Sequence, residues 1–189
     1  KIKSALKETG ITLEELEAQM EAALNSTDAP PMIDWNKKTD RELIDFLVNV
    51  HHASLHRQLP EFDRWFVRAL KVHADHIGEL LPVYKLFTAL RTELEPHLLK
   101  EEMMVFPAIL NRRPPEEMKS VLKELEAEHA GAGDTLRKLN ALTDGYKTPE
   151  FACPTVEMLY DGLMRLESAL HDHIYLENNI LFPRAVAKK

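Results

Sequence analysis

Cysteine is nearly absent: Cys153 is the only one in 189 residues, which excludes an internal disulfide and any paired-cysteine zinc or thioredoxin-type site. With Thr148, Pro149 and Pro154 around it, it reads as an incidental loop thiol. Glycine is scarce at 6 residues, and with 44% apolar and 29% charged residues the balance is that of a helix-rich globular chain. No apolar run approaches the ~18 residues a membrane span needs. No basic start, apolar stretch and small-residue cleavage site mark a signal peptide, so a cytoplasmic location and no membrane partner are expected. Basic clusters are also missing. A net charge of -7 with dispersed signs argues against nucleic acid as a partner, since phosphate binding needs clustered Lys and Arg. The length suits one domain with a small appendage.

What is present is helical periodicity. Thr12 and Glu15 form a capping box before Leu13, Leu16, Met20 and Leu24, a short amphipathic helix. Residues 26–38, with adjacent prolines and no periodicity, read as a linker. A second capping box, Thr39 to Glu42, opens a longer pattern through Leu43, Ile44, Leu47, Val48 and Val50 to His52, expected to end near Pro60. Further stripes carry Phe62, Phe66, Leu70 and His73; then Leu86, Leu90, Leu94, His97 and Glu101; then Leu122, Leu125, His129 and Leu136; and last Leu163, Leu166, Leu170, His173 and Glu177. Helices over about 40–58, 61–78, 82–111 and 115–141 predict an all-α, up-and-down four-helix bundle, with the short N-terminal helix outside it. The segment at 155–184 is a candidate fifth. Since His97 and His173 both lie on core stripes, either the bundle has five members or the segments around Gly78 and Pro82 are one interrupted stretch.

Nine histidines are the unusual feature. A glutamate four residues after a histidine shares its helix face, and two such pairs occur, His97 with Glu101 and His173 with Glu177. One such pair means little. Here the surroundings repeat as well: His97-Leu-Leu-Lys-Glu101-Glu-Met-Met-Val-Phe106-Pro107 matches His173-Ile-Tyr-Leu-Glu177-Asn-Asn-Ile-Leu-Phe182-Pro183 at a constant offset of 76. The offset carries His52 to one residue short of His129, so each half holds a lone histidine and a His-x3-Glu helix. Ionised carboxylates on apolar stripes are costly to bury without a cation, and imidazole with carboxylate suits iron. Adding His73 gives five histidines and two glutamates. On two six-coordinate metals, with both glutamates and one oxide or hydroxide bridging, one position stays open for a small diatomic ligand. Periodicity alone does not separate His52 from His51, or His73 from His76. With His56 and His171, His51 and His76 are otherwise read as solvated or as supports of a ligand. Glu93 and Glu128 are read as surface glutamates or as partners behind the ligand helices. In the two repeated pairs histidine precedes glutamate, the reverse of the Glu-x-x-His order of ferritin-like di-iron proteins, which sets that fold aside.

The chain resembles the repair-of-iron-centres proteins, the ScdA/YtfE/DnrN type, over nearly its whole length. The resemblance rests on His52 before Gln58-Leu59-Pro60-Glu61, on Val72-His73-Ala74-Asp75, on His97-x2-Lys100-Glu101-Glu102 with Phe106-Pro107, on Glu128-His129, and on Asp172-His173-Ile174-x-Leu176-Glu177-Asn178-Asn179-x-Leu181-Phe182-Pro183-Arg184. It implies a hemerythrin-like di-iron bundle over 39–189 and decides for His52 and His73. The metal ligands it implies are His52, His73, His97, Glu101, His129, His173 and Glu177, holding two non-haem irons with a bridging oxo or hydroxo ligand. The implied role is repair of iron–sulfur proteins damaged by nitrosative or oxidative stress, by iron donation, by nitric oxide binding or reduction, or by both. Damaged iron–sulfur proteins are then the partners, and nitric oxide or O2 the small ligands. A reversible O2 carrier or sensor is the alternative. Whether the protein turns over a substrate stays open, as does a homodimer. Members of this type usually begin with a short domain bearing a Cys-Cys-Gly-Gly motif, which this chain lacks. Residues 1–25 resemble the tail of that domain, and the start at Lys1 rather than Met reads as a loss of preceding sequence.

Overall fold

The computed structural model describes Thr12, Glu14, Glu15, residues 33–150 and residues 152–187. The chain divides into two units, Lys1–Asp34 and Trp35–Lys189. In the first, the Thr12 capping box is formed: Thr12 Oγ1 accepts from the Glu15 N–H at 3.2 Å, and Glu15 Oε2 accepts from the Thr12 N–H at 2.9 Å. The rest of the expected 1–25 segment, and the linker before residue 33, lie outside the described residues.

The second unit is built from four long rods. The first runs through α1 (Asp40–Phe46), a π-helical turn (Leu47–His52) and α2 (Ala53–His73). The second is α3 (Leu80–Lys100), a π turn (Glu101–Val105) and α4 (Phe106–Leu110). The third is α5 (Pro115–Leu142). The fourth is α6 (Pro154–Leu176), a π turn (Glu177–Leu181) and α7 (Phe182–Val186). Consecutive rods touch, and α6 returns to α2, closing an up-and-down four-helix bundle.

The segments expected at 40–58 and 61–78 are therefore one helix, and the segment at 155–184 is the fourth member rather than a fifth. Pro60 does not break the first rod. An interior proline removes one helix hydrogen bond at a cost of roughly 3 kcal/mol. Leu55, Leu59, Phe62, Phe66 and Ala69, all buried, keep a single stripe in register across it, and their burial outweighs that cost. The chain turns only at 74–79. Gly162 on α6 makes room for this stripe, since a Cβ there would stand 2.8 Å from Phe62 Cε1.

The three π turns have a local cause in two cases. Phe106 N–H bonds to Glu101 O, and Phe182 N–H to Glu177 O, each five residues back. Pro107 and Pro183 follow directly, and a proline ring clashes with the carbonyl four residues before it. Widening the preceding turn relieves that clash, so the repeated Glu-x4-Phe-Pro writes the same bulge twice. Single π turns recur at functional sites, and the three here carry His52, Glu101 and Glu177.

The core is two apolar clusters. One holds Leu55 through Phe87 to Leu170, and the other Leu43, Leu47, Phe106, Leu122, Leu125 and Phe182. Between them each rod crosses a polar layer. His52, His97, Glu101, His129, His173 and Glu177 are all buried, and Thr143 is the only other buried polar side chain among the described residues. Arg184 closes the near end, donating to the carbonyls of Trp35 (2.6 Å) and Lys38 (3.1 Å). No helix among the described residues is long and apolar enough to cross a membrane.

Candidate metal centre

All four histidines of the polar layer aim Nε2 at the two carboxylates. His97 Nε2 lies 3.3 Å from Glu101 Oε1, and His52 Nε2 lies 3.5 Å from Glu101 Oε2. His173 Nε2 lies 3.0 Å from Glu177 Oε1, and His129 Nε2 lies 3.2 Å from Glu177 Oε2. Two sets of donor atoms result, His52, Glu101, His173 and Glu177 on one side, His97, Glu101, His129 and Glu177 on the other, each converging within 4.8 Å. Both glutamates belong to both sets. All four of their carboxylate oxygens, with the Nε2 atoms of His52 and His173, are buried and have no hydrogen-bond partner among the described residues. Orphaned buried acceptors facing imidazoles are what a pair of cations would satisfy.

His73 is not brought to this layer. It ends α2, 21 residues beyond His52 on the same rod, about 31 Å along the axis at 1.5 Å per residue. The reason is the continuity of the helix through Pro60, which carries His73 to the opposite end of the bundle. Its Nε2 is buried there without a partner among the described residues. The donor atoms brought together are thus symmetric, two histidines to each side, with His73 outside them.

Behind the histidines stand side chains that accept from Nδ1. His52 Nδ1 donates to Glu102 (2.8 Å), and His129 Nδ1 to Asn178 (2.8 Å). Such partners fix the tautomer that leaves the Nε2 lone pair facing inward. Glu102 and Asn178 each directly follow a shared glutamate, so the internal repeat contained the signal. His97 Nδ1 donates to Glu128 (2.6 Å), which also accepts from Lys100 Nζ (2.6 Å); of the two readings offered for Glu128, it takes the supporting one. Glu93 lies exposed beside a narrow cavity of about 20 Å³, room for one water-sized occupant, lined by Leu90, Leu94, Ala132 and Leu170 and reaching His97, His129 and His173.

The electrostatics are those of imidazoles and carboxylates crowded together out of water. Burial, then the neighbouring Glu177 carboxylate, push Glu101 up to about 7. Burial would also raise Glu177, but His173 and His129 outweigh it and hold that group well below the ordinary carboxylate range. Burial lowers His97, and the carboxylates of Glu101 and Glu128 overcome this to raise it to about 9. Burial, then His173, bring His52 down to about 4.

Residues 43–185 match the hemerythrin HHE cation binding domain. The chain belongs to this hemerythrin family, in its repair-of-iron-centres branch. It is 36% identical over 154 residues to the iron-sulfur cluster repair protein YtfE of Escherichia coli O157:H7, covering 82% of this chain and 70% of the relative. The YtfE proteins of Escherichia coli K12/DH10B and of Shigella boydii serotype 18 match to the same extent. The HHE domain binds metal cations, and in this chain the histidines and glutamates of the polar layer are the side chains able to hold them.

Proposed function

We propose that this hemerythrin-family protein holds two non-haem irons between His52, His97, His129, His173, Glu101 and Glu177, and repairs damaged iron–sulfur proteins by supplying iron. The observation that carries this reading is the pair of buried carboxylates whose four oxygens have no partner among the described residues while four imidazoles face them. Imidazole with carboxylate suits iron, and the relatives are named for iron-sulfur cluster repair.

Two imidazoles and two shared carboxylates on each side fill fewer positions than a five-histidine set. With a shared oxide or hydroxide counted, a six-coordinate pair would keep one position free on each metal. Positions free in this way would suit nitric oxide or O2 as small ligands. The chain's own residues supply the rest. Glu102, Glu128 and Asn178 orient the imidazoles, and the apolar clusters on either side exclude bulk water. The irons, when bound, supply Lewis acidity and one-electron chemistry.

The test is transfer. Protein loaded anaerobically with ferrous iron is mixed with an apo iron–sulfur acceptor across a size-exclusion step. Iron should appear in the acceptor, and retention of both irons by the donor would remove the donation reading. The alternative, a reversible O2 carrier, would show a spectrum that returns unchanged when O2 is removed.

A further inference from the structure

The two ligand sets are related by the internal repeat, and they differ in what stands behind the imidazoles. In the His97–His129 set both Nδ1 atoms are held, His97 by Glu128 at 2.6 Å and His129 by Asn178 at 2.8 Å. In the His52–His173 set only His52 is held, by Glu102 at 2.8 Å. The Nδ1 of buried His173 has no partner among the described residues.

The repeat identifies the position responsible. Glu128 immediately precedes His129 and reaches the histidine of the first His-x3-Glu pair. The residue immediately preceding His52 is His51, which lies against the histidine of the second pair, with ring centroids 5.7 Å apart. Where one half places a carboxylate that accepts the Nδ1–H, the other places the His51 imidazole, whose ring stands against that of His173. His173 therefore lacks the acceptor that would keep its proton on Nδ1 and its Nε2 free for a metal.

We infer that the His52–His173 position binds its metal more weakly than the His97–His129 position, and that His51 is the positioning residue that sets the difference. The inference rests on the reading that the polar layer holds a metal pair, and it names which iron of that pair is the one given up. An acceptor behind a ligating histidine raises its basicity, and losing one typically costs about 10–100-fold in metal affinity.

Crystals of the wild type grown anaerobically with one and with two equivalents of ferrous iron, measured for anomalous scattering, give the occupancy of each position separately. At one equivalent the His97–His129 position should hold about tenfold more iron than the other. Equal occupancy, or an excess at His52–His173, overturns the inference. Failure to hold two irons at two equivalents overturns the metal-pair reading itself, which is a different outcome. His51→Glu, which supplies the missing carboxylate, should bring the two occupancies within about threefold. His51→Gln, a neutral replacement, should change them less. An unchanged ratio in a folded His51→Glu protein removes the role of His51. Glu128→Gln provides the opposite arm, since it should narrow the ratio by weakening the other side.

Discussion

Glu101 and Glu177 are the side chains on which the centre turns, because each serves both ligand sets. Removing one would take a donor from both sets at once and leave the opposing histidines without a counter-charge. Glu101→Ala is therefore expected to lower iron from two to less than one per chain when measured by metal analysis after anaerobic loading. His73→Ala makes the opposite prediction. It sits at the far end of α2 and should keep the wild-type iron content; a loss comparable to that of Glu101→Ala would contradict the ligand set proposed here. Only part of the position of His73 is legible in sequence. It continues the stripe of Phe62, Phe66 and Leu70, so its face is legible, but its height along the bundle is not.

The rods owe their ends and bends to short-range chemistry that can be tested separately. At the start of α1, Glu42 accepts from the Thr39 N–H, the Lys38 ammonium and the Thr39 hydroxyl, each at 2.9 Å, and these contacts hold it down from 4.5 to about 2. A depressed carboxyl contributes stability that is complete above its unfolded value and is lost as pH falls through the folded one. The gap in denaturation midpoint between wild type and Glu42→Gln should thus be present at neutral pH and close as pH falls from 4.5 towards about 2. A gap that persists there would mean the carboxylate is not the cause. Thr39→Ala should cost about 1 kcal/mol in urea denaturation, the usual worth of a helix N-cap. Where α6 crosses α2, Gly162→Ala would place a methyl 2.8 Å from the buried Phe62 ring. Overpacking of about 1–3 kcal/mol should exceed the roughly 1 kcal/mol gained in helix propensity, lowering the melting temperature; a rise would show that Phe62 yields without strain.

Across the whole molecule, two apolar clusters are separated by a layer of buried imidazoles and carboxylates contributed by all four rods. Without cations that layer opposes folding, since buried charges without full pairing cost several kcal/mol. With cations it ties the rods together, so metal binding and folding are coupled. Loading with iron should raise the melting temperature in calorimetry by the equivalent of about 2.7 kcal/mol at a hundredfold excess over the dissociation constant. The Glu101→Ala protein should show little of this rise. Identical wild-type transitions with and without iron would mean that the layer is satisfied by protein alone.

The sequence by itself determined the apolar faces of the helical segments and the doubled His-x3-Glu with its Phe-Pro, because helical spacing decides which side chains share a face whatever the surroundings. It also held the positions of Glu102 and Asn178, although their work as acceptors could not be read from spacing. Only the tertiary structure decided that Pro60 lies inside one helix, that His73 therefore ends far from His52, and that Glu128 and His51 stand behind different histidines. Those outcomes depend on where each rod stops and how it is set against its neighbours, and that is decided by the burial of residues distant in sequence rather than by local preference.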